Sequence, residues 1–277
     1  MAIISFWSNG KGETGKAAAM VAVTTFLAMH HNYKILVLDT KYNDHFYHDC
    51  YWKEDKSIKI IHNQNAKKTN IVSGISGLTK EILSKKSSPE IVTNYTKIVF
   101  KNRLEILSDT KIEEEDYEVH KKVFRNIAKI ANQYYDLVFI DIASDLDEET
   151  TNTLLGISDL VIVNISQKIR QIDEYSKLKE ENEILKEKAF IPLLGKFDES
   201  SKYTAKNVTR YLNEKETICT VPYNTLFFEA CNEAEVADYF IKYRKINSKD
   251  KNSFFLEEVK KTSEKIVYKL KELQMRI

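Results

Sequence analysis

Ser8-Asn9-Gly10-Lys11-Gly12-Glu13-Thr14-Gly15-Lys16 is the stretch that decides how the rest of the chain folds. Before it runs Ala2-Ile3-Ile4-Ser5-Phe6-Trp7, almost wholly apolar and the length of a buried strand. After it runs Ala17-Ala18-Ala19-Met20-Val21-Ala22-Val23, small apolar residues suited to a helix lying close against a sheet. Strand, glycine-bearing loop and helix, in that order, are the setting of an anion-binding turn. Gly10, Gly12 and Gly15 let backbone N–H groups turn inward onto a polyphosphate. The helix N-terminus behind them adds partial positive charge, and Lys16 adds a full one. The chain has only 7 glycines, and three of them fall within six positions. A plain surface turn after an edge strand is the competing reading, disfavoured because spacing, strand and helix all agree.

The spacing Gly10, four residues, Gly15, Lys16 is that of a Walker A loop. Such a loop closes on Ser or Thr, whose hydroxyl ligates Mg²⁺, whereas Ala17 stands there in this chain. A methyl group cannot coordinate a cation. Phosphate cradling by Gly10, Lys11, Gly12, Glu13, Thr14, Gly15, Lys16, Ala17 and Ala18 is therefore expected to survive, and metal-assisted hydrolysis to suffer.

Length and composition set the frame for this loop. At 277 residues, 43% of them hydrophobic, the chain is one large α/β domain or one with a modest appendage. A net charge of +1 argues against nucleic-acid binding by bulk charge. From Ile241 onward, however, eleven Lys and Arg face five acids, so residues 241–277 form a basic C-terminal segment after a domain spanning 1–240. Three scattered cysteines (Cys50, Cys219, Cys231) do not suggest a disulfide framework, and a reducing, cytoplasmic location is expected. No apolar run approaches the length of a membrane span, and the N-terminus reads as a strand rather than a signal peptide.

Further strands are predicted at Tyr33–Asp39, Arg103–Leu107, Tyr135–Asp141, Asp159–Asn164, Phe190–Gly195 and Thr217–Pro222. Helices are predicted from Gly77 to Leu83, from Asp116 onward, over Arg170–Lys188, over Lys202–Leu212 and over Asn252–Ile277. In the helix from Asp116, Val119, Val123, Ile127, Ile130 and Tyr134 recur at helical spacing and are assigned to the core. The alternation implies a mostly parallel β-sheet covered by helices on both faces, a three-layer α/β/α P-loop NTPase architecture. Ligands of such sheets bind at the carboxyl ends of the strands, where Gly10, Asp39 and Asp141 fall. Tyr135-Asp136-Leu137-Val138-Phe139-Ile140-Asp141, an apolar run closing on Asp, has the Walker B pattern, whose Asp holds Mg²⁺ through water.

Between Thr40 and Lys68, His45, His48, Asp49 and Cys50 have a spacing that invites zinc, but no second Cys/His pair accompanies them. A solvated loop is the default there. Lys202, Lys206 and Arg210 recur at i, i+4, i+8, equally consistent with a DNA-facing stripe and with a solvated helix face. In the last helix, Leu256, Val259, Ile266, Leu270, Leu273 and Ile277 form an apolar face. Docking on the domain is favoured over contact with a membrane surface, DNA or a partner.

Together these stretches resemble the ParA/MinD group of deviant Walker A ATPases, over most of residues 1–240. The resemblance rests on Lys11–Lys16, Ile35–Asp39, Tyr135–Asp141 with Ser158–Val163, and Val221-Pro222-Tyr223-Asn224 followed by Glu229-Ala230. The last of these is similar to the family's adenine-side loop, which adds Pro222 to the nucleotide-binding candidates. The resemblance implies ATP and Mg²⁺ as cofactors, with Asp39 and Asp141 as indirect metal holders. It also implies a homodimer formed on ATP, in which Lys11 reaches the partner's phosphates and Lys16 its own. Lys11, Asp39 and Asp141 would then serve hydrolysis, and the dimer would engage DNA or a protein scaffold. Three residues depart from the pattern. Glu13 replaces a glycine, Ala17 removes the hydroxyl, and Lys41 stands where a second acid would position water, with Asp44 and Asp145 the nearest substitutes. The expected function is a positioning or partitioning switch with weak hydrolysis. The alternative is a non-hydrolysing scaffold on the same fold.

Overall fold

The apolar runs form a single sheet in the computed structural model, which describes residues 1–8, 14–53, 74–84, 88–245 and 250–275. Its strands are β1 (Ala2–Trp7), β2 (Ile35–Asp39), β3 (Lys97–Phe100), β4 (Leu104–Leu107), β5 (Leu137–Asp141), β6 (Leu160–Ile165), β7 (Ala189–Phe197) and β8 (Cys219–Pro222). They lie in the order β3-β4-β2-β5-β1-β6-β7-β8. β3 pairs antiparallel with β4, and every other pairing is parallel. The helices are α1 (Lys16–His30), α2 (Phe46–Tyr51), α3 (Gly74–Leu83), α4 (Glu114–Ala131), α5 (Glu148–Ile157), α6 (Ile169–Glu181), α7 (Glu183–Glu187), α8 (Ala205–Tyr211), α9 (Thr225–Asn232), α10 (Val236–Lys242) and α11 (Ser253–Gln274). A short 3₁₀ turn spans Pro89–Asn94.

Two hydrophobic clusters sandwich the sheet, and strand alternation divides the side chains between them. Ile4, Phe6, Ile35, Val37, Leu137 and Phe139 pack with α1, α2, α9, α10 and α11. Ile3, Trp7, Leu36, Leu38, Val138 and Ile140 pack on the opposite face with α3, α4, α5 and α6. Burial on both faces explains why these strands read as continuous apolar runs rather than alternating ones. The small residues of α1 have the same cause. Ala19, Met20, Val21, Ala22 and Val23 are all buried, because the helix is covered by the sheet on one side and by α11 on the other.

Strand ends are tied by carboxylates. Asp159 Oδ2 accepts from Ile3 N at 2.7 Å, and Asp136 Oδ2 accepts from Lys34 N at 2.8 Å. The second bond joins the residues just before β2 and β5, whose pairing places Asp39 level with Asp141.

Several sequence expectations change. The buried face of α4 consists of Tyr117, His120, Val123, Phe124, Ile127, Ala128 and Ala131, while Val119 is exposed and Tyr134 lies beyond the helix. The stripe chosen from aliphatic spacing is rotated because Tyr117 and Phe124, not Val119, face the sheet. The polar stretch after β2 is not a wholly solvated loop: α2 buries Tyr47 and Cys50. The expected Arg170–Lys188 helix is two helices, divided at Asn182, whose side chain caps the second by accepting from Leu185 N at 3.0 Å. The helix predicted from Lys202 starts only at Ala205, so Lys202 precedes it and the three cations do not share one helical stripe, although all three are exposed.

α11 docks on β8 and α1 with Phe255, Val259, Ile266, Val267 and Leu270 buried. Thr262 Oγ1 donates to Thr220 O at 2.8 Å, and Lys265 Nζ donates to Thr217 O at the same distance. Among the described residues no helix is long and apolar enough to cross a membrane.

Candidate functional site

The carboxyl ends of β1, β2 and β5 meet beside the N-terminus of α1. Gly15 precedes that helix with φ of 69°, a left-handed backbone that glycine adopts without strain. A cleft of about 520 Å³ opens there. It is lined by Ser8, Thr14, Gly15, Lys16, Ala17, Ala18 and Ala19 and by Val221, Pro222, Tyr223, Asn224, Phe227 and Phe228. Lys41, Phe46, Ser144 and Lys196 also line it. The lining thus combines three lysines and a helix N-terminus with apolar and aromatic side chains from β8 and α9. That is a mixture suited to a ligand with both an anionic and an apolar aromatic part.

Lys16 is only 7% exposed, and its Nζ lies 2.8 Å from Asp141 Oδ1 while also donating to the carbonyl of Ile142. The other carboxylate oxygen of Asp141 accepts from Tyr47 OH at 2.8 Å and lies 3.2 Å from Lys41 Nζ. Burial works to raise the Asp141 carboxyl, but Lys16 and Lys41 outweigh it and hold it below the usual range. Lys41 is held from a second side by Asp44 Oδ2 at 2.8 Å. Burial opposes its charge, yet Asp141, Asp39 and Asp44 together raise it, so the ammonium stays protonated. Asp39 differs from its neighbour. Its Oδ1 accepts from Lys41 N at 3.1 Å, and burial pushes its carboxyl up to about 8, with Lys41 opposing and Asp141 adding to the rise.

Thr40 fastens the two strand ends. Its hydroxyl donates to Asp141 O at 2.8 Å and accepts from Ala143 N at 2.9 Å, while its carbonyl accepts from Tyr117 OH at 2.7 Å.

The structure therefore brings together Thr14, Gly15, Lys16, Ala17, Ala18 and Pro222 around the cleft, with Asp141 beside Lys16 and Asp39 beside Asp141. Gly10, Lys11, Gly12 and Glu13 lie outside the described residues. Lys202, Lys206 and Arg210 do not line the cleft. The His45–Cys50 stretch holds no metal cluster: among the described residues no group of three or more His, Cys, Asp or Glu is placed to bind an ion.

Magnesium does not fit the site in this arrangement. Mg²⁺ takes oxygen ligands at about 2.0–2.1 Å in octahedral geometry. Ala17 supplies none, both oxygens of Asp141 are engaged by lysines and Tyr47, and an ammonium stands 3.2 Å from one of them.

Sequence reasoning missed Tyr47, Thr40, Phe227 and Phe228. Tyr47 sits in a short polar and aromatic stretch with no periodicity. The two phenylalanines had a usable signal, since they follow the Val221–Asn224 segment directly.

Strand order and helix placement together define a protein of the P-loop NTPase fold class. Residues 1–191 match the family described as AAA domain, and the chain belongs to that family. A ParA family ATPase from Chlorobium tepidum TLS superposes with a TM-score of 0.68 at 12% identity, covering 95% of this chain and 98% of that one. The septum site-determining protein MinD from Pyrococcus horikoshii OT3, in complex with Mg-ADP, gives 0.65 at 16% identity, covering 96% and 95%. A putative plasmid partition protein from Borrelia burgdorferi B31 bound to AMPPNP gives 0.57 at 18% identity, covering 97% and 99%. The fold is that of the ParA/MinD ATPases. No curated protein matches the chain significantly in sequence.

Proposed function

We propose that this chain binds ATP in the cleft and acts as a nucleotide-dependent switch of the positioning or partitioning kind. The observation that carries the reading is that Lys16, at the N-terminus of α1, lines the same cleft as Val221, Pro222 and Phe227. The triphosphate would lie on the amides of the Gly10–Ala18 loop, with Lys16 moving from Asp141 onto its oxygens. The base would stack against Pro222 and Phe227. Two copies would join face to face over the nucleotide, Lys11 of each reaching the other's phosphates and adding charge where it develops during transfer. Asp39 and Asp141, at the ends of β2 and β5, would be the carboxylates nearest the phosphates.

The dimer would engage DNA or a protein scaffold, with Lys202, Lys206 and Arg210 as exposed candidates for phosphate contacts. Membrane contact through the 241–277 segment is disfavoured, because the apolar face of α11 is buried against β8 and α1.

A second reading, a non-hydrolysing scaffold on the same fold, is favoured by Ala17 and by the capture of Asp141 by Lys41. Sedimentation with and without ATP, beside a phosphate-release assay, separates the two. A mass that doubles with ATP and slow phosphate release supports the switch. A doubling without release supports the scaffold. A mass indifferent to ATP contradicts the switch.

A further inference from the structure

We propose that Lys41 takes the place of the divalent cation, so that this chain binds its nucleoside triphosphate without magnesium. The inference deepens the nucleotide reading and rests on it. Lys41 lies two residues beyond the end of β2 and lines the cleft together with Lys16. Its Nζ bridges Asp44 Oδ2 at 2.8 Å and Asp141 Oδ2 at 3.2 Å. The rings of Phe46 and Tyr47 stand 5.7 and 5.5 Å from the ammonium, within cation–π range. Four groups, from β5, from α2 and from the loop just before α2, therefore surround one positive charge in the lining of the site.

The charges around Asp141 give the position its meaning. Asp141 is fully buried and carries a negative charge matched by two lysines. When Lys16 leaves for a phosphate, Lys41 and Tyr47 still hold the carboxylate, so nucleotide entry does not leave a bare buried anion. A divalent ion entering as well would meet an ammonium already on its ligand, in a medium where like charges repel strongly. Ala17 offers no oxygen to draw it in. A lysine that removes the need for a metal and an alanine that removes its hydroxyl ligand are mutually consistent changes. Either alone would leave the site half built.

The test is nucleotide affinity, followed by fluorescence of an N-methylanthraniloyl-ATP probe, in 5 mM Mg²⁺ (about the cellular order) and in excess EDTA. The wild-type chain is expected to bind within about twofold of the same Kd in both conditions. Lys41→Met, which keeps the stem and removes the charge, is expected to weaken binding at least about tenfold in EDTA, with part of that loss recovered by Mg²⁺. Wild-type binding that weakens more than about tenfold on chelation overturns the proposal while leaving the nucleotide reading intact. No binding in either condition removes the nucleotide reading and this proposal with it. Because the wild-type comparison needs no variant, poor folding of Lys41→Met does not blunt the result.

Discussion

Gly195 lies so close to Thr14 that a Cβ added at 195 would stand 2.0 Å from the Thr14 carbonyl oxygen. The contact is to backbone, so no side chain can swing aside. β7 and the end of the phosphate loop therefore meet without space for even a methyl group. Gly195→Ala is expected to push residues 14–15 toward the cleft and to destabilise the chain by about 1–3 kcal/mol. Denaturant unfolding checks the stability, and a parallel loss of ATP affinity is expected because the displaced residues line the site.

Lys16 is the cation best placed to reach a phosphate. Replacing it with Met removes a charge-assisted hydrogen bond that contributes about 1.5–3 kcal/mol, or roughly 10–100-fold in Kd. Asp141 keeps Lys41 and Tyr47, so the variant is expected to fold. Titration calorimetry with ATP, with circular dichroism as the folding control, measures both effects.

Tyr47 reports on the buried network rather than on the ligand. Tyr47→Phe deletes the 2.8 Å bond to Asp141 Oδ2 while keeping the ring that packs in the core. A loss of about 1–2 kcal/mol is expected on chemical denaturation, since the carboxylate left behind is buried.

Asp39 gives the chain a pH dependence of definite sign. Its folded pKa is raised to about 8 from an ordinary value of 3.8, so the folded state retains a proton that the unfolded state has released. The associated stability is fully present below the unfolded value and is lost as pH rises from there through about 8. Asp39→Asn, neutral at every pH, is expected to gain on the wild type progressively above about pH 4 and to melt about 4 °C or more above it near pH 9. Melting curves across that range test the expectation, and equal melting temperatures near pH 9 would contradict it.

The sheet was legible because parallel strands buried on both faces leave uninterrupted apolar runs. Ala2–Trp7, Ile35–Asp39 and Leu137–Asp141 stand out for that reason. Lys16 at the N-terminus of α1 was legible through its place after an apolar run and a glycine-bearing stretch. What escaped depends on proximity that spacing does not encode. Lys41 showed in the sequence as an acid that was missing, and only the fold shows its ammonium joined to Asp141, on another strand. Tyr47 lies on a helix of 6 residues, too short for periodicity to emerge. On α4 the spacing found Val123 and Ile127, and it missed Tyr117, His120 and Phe124, whose polar or aromatic side chains complete the buried face.

The central claim, that the cleft takes a nucleotide with its phosphates on the loop, is tested most directly by a crystal structure grown with AMPPNP. Triphosphate oxygens about 2.7–3.2 Å from Lys16 Nζ and the amides of residues 14–18, with the base against Pro222 and Phe227, are the expected result. The analogue bound elsewhere, or a cleft that stays free of it at saturating concentration, would contradict the claim.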